Sequence, residues 1–188
     1  LVEVSGEGEL AARMLSLYRP TPYLSGCSQA VWAREHPLLI RNYDYHPEYC
    51  DGTILRTAWT GSPVLASVDC LWGVLDGVTA PVLCVASHMA CDVSVVDASG
   101  DHVVAILAPD RPPAVLPRSV ATNHQYEVEW TQHDKLTRSA DRERLLQERL
   151  QDPQMTAERF TQGFLEPPLF SRQYKKAFGT LYTAQYDP

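Results

Sequence analysis

The sequence predicts an α+β layered fold, and three observations predict it. Short segments rich in β-branched and aromatic residues, each bounded by Gly, Pro or Asp, fill the earlier part of the chain. Two segments of strong helix formers follow, then a last alternating segment. Strands first and helices after is the order of an α+β layered domain. The 188 residues suit one domain. A chain of this size buries about 70% of its unfolded surface and needs no disulfide staples.

The elements follow in order. "GELAARMLSLY" carries apolar positions at helical spacing and predicts a short helix, which the two prolines of "RPTPYLSG" break. "QAVWA", "PLLIRNYDY", "TILRTAW", "PVLASVD" and "WGVLDGV" predict strands. "DVSVVDASGDHVVAILAPD" predicts a hairpin turning at Ser99–Gly100. "SVAT" is a further short strand ending at Asn123. "SADRERLLQERLQD" predicts a helix with Leu145, Leu146 and Leu150 on one face, Ser139 as its N-cap and Asp152–Pro153 as its stop. "TAERFTQGFL" predicts a second helix capped by Thr156 and ended by "EPPLF". "GTLYTAQYD" alternates as a strand does.

Composition narrows the function. A formal net charge of −7 opposes binding to nucleic acid or to anionic lipid, which both need a basic face. No apolar run approaches the ~18 residues of a membrane span. The first residues, "LVEVSGEGEL", lack the basic and apolar regions of a signal peptide. Five cysteines, at 27, 50, 70, 84 and 91, form no CxxC pair and no even set. That count argues against a disulfide framework and a structural zinc site, and reduced thiols fit a cytoplasmic protein. The six histidines form no HxH, HExxH or Cys/His cluster, and there is no GxSxG elbow and no phosphate-binding glycine pattern. Metal catalysis therefore has weak support.

Cys27 is the residue with the most chemistry to offer. A thiol with a pKa of about 8.5 is mostly protonated at neutral pH and needs a base. An N-terminal cysteine carries its own base, an α-amine with a pKa near 7.7–8.0. Cys27 is internal, so this chemistry demands a cut at Gly26–Cys27, and glycine leaves the carbonyl before the cut uncrowded. The bland reading of Cys27 is a buried packing thiol. Cys50, Cys70, Cys84 and Cys91 lie in or beside apolar runs and read as packing residues.

"RNYDY" places Arg41 and Asp44 inside an apolar strand, where charge is costly unless paired or functional. Arg41 is a candidate to hold a carboxylate or to balance a thiolate, and Asp44 to orient a new α-amine. In a strand the two lie on opposite faces, which opposes a joint role unless the strand ends or bulges there. A structural ion pair is the alternative. Asn123 ends a short strand, where a side-chain amide is either an oxyanion donor or an Asx turn. His124 beside it is a candidate general base, which would make a thiol hydrolase of Cys27 and His124 without processing. Tyr182 and Tyr186 read as core or pocket wall.

Taken together, "GCSQAVW", "RNYDY", "WGVLDG", "DVSVVDASGDH", "ATNH" and "FGTLYTAQYDP" stand in a recognisable order. The chain resembles the acyl-coenzyme A:isopenicillin N acyltransferase-like family of N-terminal nucleophile cysteine hydrolases, which is related to the choloylglycine hydrolases. The resemblance runs from about Tyr23 to the C-terminus, and "GCSQ" followed by "RNYDY" is its most specific part. It implies a four-layer αββα sandwich of two antiparallel sheets between helices. It implies self-cleavage between Gly26 and Cys27, with 1–26 a pro-segment or small subunit and 27–188 the catalytic domain. It implies that Cys27 attacks a linear amide or thioester and passes the acyl group to water or an amine, with Arg41, Asp44 and Asn123 as catalytic partners. No cofactor and no metal are implied. The partner is a small acyl-amide or acyl-thioester substrate, with no nucleic acid and no membrane, and exposed strand edges leave room for a homo-oligomer.

One stretch departs from the family pattern. Family members continue the "WGVLDG" strand into a turn like "NEAGL", then a further strand and a helix. Here "GVTAPVLCVAS" stands in their place. The turn asparagine, a second oxyanion donor in the related hydrolases, is absent, and Thr79 stands near its position. Either residues are missing from this sequence near 78–81, or the chain is shortened there. A shortened chain would have lost an oxyanion donor, and an inactive scaffold or binding protein on the same fold is the alternative function.

Overall fold

The computed structural model describes residues 26–50, 52–58, 61, 63–69, 73–79, 82–85, 91–108, 111–123, 134–135, 137–176 and 178–188. The helix expected over 8–18 lies outside the described residues. Among the described residues, twelve strands form two antiparallel sheets. They are β1 (Gly26–Trp32), β2 (Leu38–Tyr45), β3 (Ile54–Thr57), β4 (Val64–Asp69), β5 (Gly73–Thr79), β6 (Val82–Val85), β7 (Cys91–Asp97), β8 (His102–Ala108), β9 (Arg111–Leu116), β10 (Val120–Thr122), β11 (Arg172–Gln173) and β12 (Phe178–Tyr186). The α-helices whose bounds lie among the described residues are α1 (Ser139–Gln151) and α2 (Ala157–Gln162). The protein is thus α+β, as the strand-then-helix order predicts.

The five-stranded sheet runs β10-β1-β2-β12-β11 and the seven-stranded sheet runs β3 to β9 in chain order. Chain order in the second sheet reflects a meander of short connections. Strand β6, in the "PVLCV" stretch, pairs directly with β5, Thr79 opposite Val82. Strand β9 contains Pro112 and Pro113, and its pairing with β8 shifts register where they lie, between Ile106 and Ala108. Proline lacks the N–H a ladder needs, so this edge position accommodates both.

Strand β2 is buried along its whole length. Such a strand is covered on both faces, which explains its unbroken apolar start. On one face Ala30, Trp32, Leu38, Ile40 and Val120 pack with Leu146, Phe160, Phe164 and Leu169 from the helical segment. Trp32 and Phe160 lie 5.4 Å apart between ring centroids, and Phe160 meets Phe164 edge-on at 5.7 Å. Asn42 Nδ2 donates to the carbonyls of Phe164 (2.7 Å) and Leu169 (2.9 Å), tying this layer to the sheet. On the other face Val31 and Leu39 meet Val96 of β7, and Gln29 Nε2 donates to the Asp92 carbonyl at 2.8 Å. The described layers are therefore helix, sheet, sheet, and the central sheet is the one that carries Cys27.

The helix ends are nearly as the sequence predicts, with one correction. Thr156 caps α2 by accepting from the Arg159 N–H, and α1 stops at Asp152. Ser139 is not the N-cap of α1 but its first helical residue. The Asp134 carboxylate takes the cap role, accepting from the Ala140 N–H at 2.8 Å and from Ser139 Oγ at 3.1 Å. A carboxylate there satisfies one of the orphan amides and also suits the positive helix end. Among the described residues no helix is long and apolar enough to cross a membrane.

Candidate active site

Strand alternation divides the site between two faces. Cys27 lies opposite Tyr43, so Cys27, Arg41 and Tyr43 share the face toward the second sheet. Ser28, Asn42 and Asp44 share the face toward the helices. The opposite-face difficulty read from "RNYDY" is real. Arg41 and Asp44 form no pair with each other; each has a separate partner.

On the sheet–sheet face, Arg41 Nη2 donates to Cys27 Sγ at 3.4 Å, and Nη1 meets Asp76 Oδ2 at 3.1 Å. Arg41 and Asp76 are both buried. Asp76 sits on β5 and accepts from Tyr182 (2.9 and 3.1 Å), from Tyr186 (2.8 Å) and from Ser67. Tyr43 stacks at a tilt on Tyr182, centroids 5.5 Å apart, and walls the thiol. Burial opposes the Arg41 charge, but the facing Cys27 and Asp76 outweigh it and hold the guanidinium above its ordinary pKa.

On the helix face, Arg142 of α1 reaches under β1. Its Nη1 donates to the Cys27 carbonyl (3.0 Å) and to Ser28 Oγ (2.7 Å) and lies 3.4 Å from Asp44 Oδ2. Thr180 Oγ1 donates to Asp44 Oδ1 at 2.6 Å. Asp44 thus approaches the Cys27 main chain through Arg142. Burial pushes the Asp44 carboxyl up to about 6 against the pull of Arg142. Burial lowers the Arg142 pKa, and Asp44 offsets part of that.

A bulge in β12 lets one strand serve both faces. Thr180 stands opposite Asp44, whereas Tyr182 stands opposite Tyr43, so the register shifts by one residue between them. Without the shift Thr180 and Tyr182 would share a face. With it, Thr180 reaches Asp44 while Tyr182 and Tyr186 reach Asp76.

Asn123, just past β10, accepts the Cys27 main-chain N–H on Oδ1. Strand β10 pairs with β1, Ser28 opposite Thr122, and this register brings the asparagine to the cysteine. Burial pushes the Cys27 thiol up, and the Arg41 charge and hydrogen bond pull the other way. A thiol shifted in this direction needs a proton acceptor to act as a nucleophile.

The structure brings Cys27, Arg41, Asp44 and Asn123 together. Gly26 begins β1 opposite Asp44. Thr79 lies on β5, and its side chain is outside the described residues, as is all of His124. The sequence reading missed Arg142 and Asp76. Both had a signal: Arg142 falls four residues before Leu146 on the apolar stripe of its helix, and Asp76 is a lone carboxylate inside "WGVLDGV". Tyr182 and Tyr186, read as core or pocket wall, are hydroxyl donors to Asp76. No protein-family model matches the chain, and no curated protein matches it.

Proposed function

We propose that the chain is a self-cleaving N-terminal cysteine hydrolase or acyltransferase of the acyl-coenzyme A:isopenicillin N acyltransferase-like kind. It acts on a linear amide or thioester through an acyl-enzyme at Cys27. One observation carries the reading: the Cys27 N–H meets the Asn123 side chain while its Sγ meets the Arg41 guanidinium. Any buried N–H needs a partner, but a packing thiol has no use for a guanidinium on its sulfur.

Cleavage starts as Cys27 Sγ attacks the Gly26 carbonyl carbon. The bond from that carbon to the Cys27 nitrogen breaks as the carbon–sulfur bond forms, and the thiol proton goes to the departing amine. Water then hydrolyses the thioester, leaving Gly26 as a carboxylate and Cys27 with a free amine and thiol. In turnover the amine takes the thiol proton and later returns it to the leaving group. The Asn123 amide, its oxygen on the Cys27 nitrogen, keeps its NH2 end for the oxyanion. Arg41 stabilises the thiolate as it forms.

The test uses a panel of N-acyl 7-amino-4-methylcoumarins with acyl groups of different length. The full-length protein releases the fluorophore from at least one of them. Cys27→Ala releases none, and His124→Ala retains release. Turnover by Cys27→Ala at the parent rate removes the proposal, and loss in His124→Ala with an uncut chain replaces it with a conventional thiol hydrolase.

A further inference from the structure

We infer that Asp76 is the positioning residue of the Cys27 centre, aiming Arg41 at the thiol. This rests on the reading of Cys27 as the nucleophile. The Arg41 fork is divided, with Nη1 on Asp76 at 3.1 Å and Nη2 on Cys27 Sγ at 3.4 Å. A purely structural arginine–carboxylate pair gains most from putting both nitrogens on the carboxylate. Here one nitrogen is committed to the thiol instead.

Asp76 is itself fixed. Its side chain is 0% exposed and takes hydroxyl donors from three strand positions, Ser67 on β4 and Tyr182 and Tyr186 on β12. Burying a carboxylate at the junction of two sheets is costly unless it is fully hydrogen-bonded, and these donors come from both sheets. The carboxylate orientation therefore follows from the packing of the sheets on each other. It sets the guanidinium plane, and the plane delivers Nη2 to Sγ. The β12 bulge belongs to this device, because it turns Tyr182 and Tyr186 toward Asp76.

The test is Asp76→Asn in the full chain, which removes the charge and keeps the shape. The rate at which Cys27 reacts with methyl methanethiosulfonate at pH 8 is read by peptide-resolved mass, with exposed Cys50 as internal reference. An unaimed Arg41 lowers the thiolate fraction, so Cys27 reacts about tenfold more slowly per pKa unit lost. A merely structural or through-space role gives the opposite sign, since a loosened site, or the loss of a nearby negative charge, speeds the reaction. An unchanged or faster Cys27 overturns the inference. The Arg41 guanidinium 15N signals give a second readout. Separate Nη resonances in the parent that merge in Asp76→Asn support it, and resonances that stay separate overturn it. If Asp76→Asn does not fold, the Tyr182→Phe, Tyr186→Phe double variant keeps the charge and is expected to slow Cys27 in the same direction; no slowing overturns the inference. None of these readouts needs turnover. An inactive parent therefore counts against the proposed function alone, and an unmoved thiol counts against Asp76 alone.

Discussion

At the scale of single residues, the site is a set of buried charges, each held by a partner from a distant part of the chain. Arg41 reaches Asp76, and Asp44 reaches Arg142. Cys27, Arg41, Asp44 and Asn123 were legible because each breaks a local pattern: a cysteine after glycine, charges inside an apolar strand, an asparagine at a strand end. Their partners Arg142 and Asp76 carried weaker local signals, and the pairing itself carried none, since the Arg142–Asp44 contact spans 98 positions. Glu143, next to Arg142 on α1, shows what such burial does to stability. Burial pushes its carboxyl up to about 7 from 4.5, against the weaker pull of Arg118. A raised acid binds its proton more tightly in the folded state. Its contribution to stability is thus fully present below pH 4.5 and lost as pH rises to about 7. Glu143→Gln, which stays neutral, is expected to unfold at nearly the parent urea concentration at pH 4 and at a higher one at pH 8. A variant less stable than the parent at pH 8 contradicts this sign.

At the scale of elements, strand type and approximate position followed from composition, and the helices from their apolar spacing. Their irregularities did not. The β12 bulge leaves no mark in "GTLYTAQYD", which reads as plain alternation, yet it decides which tyrosines meet Asp76. Likewise "PVLCV" is too short to declare itself, and only the ladder with β5 and β7 makes it a strand. The start of α1 was misplaced by one residue because a serine before helix formers looks like a cap, while the cap position is Arg138 and the carboxylate that accepts from the helix's first turn is Asp134, a turn earlier. Helix α1 delivers Arg142 to the Cys27 carbonyl, so its start is tied to the site. Asp134→Ala is expected to cost about 1 kcal/mol in urea unfolding. A cost indistinguishable from zero would show that Asp134 does not cap the helix.

At the scale of the molecule, the sheet carrying Cys27 is enclosed on both faces, and Cys27 sits where residues of the helices, the central sheet and the second sheet meet. The helices supply Arg142, the second sheet supplies Asp76, and the central sheet supplies Cys27, Arg41 and Asp44. The α+β class was legible because strands and helices segregate along the chain. The order of the central sheet was not, because β12 pairs with β2 across the whole chain, Gly179 opposite Tyr45. Such long-range register is set by which faces are buried and which bulges intervene. Asn123, Arg41 and Arg142 all reach Cys27, and the proposed chemistry begins by cutting the bond before it. The most direct measurement is the intact mass of the freshly purified full-length protein under denaturing conditions. Two chains that meet between Gly26 and Cys27, reduced to one in Cys27→Ala, are the predicted result. A single uncut chain in the parent, with an unmodified Cys27 after prolonged incubation, would contradict the account.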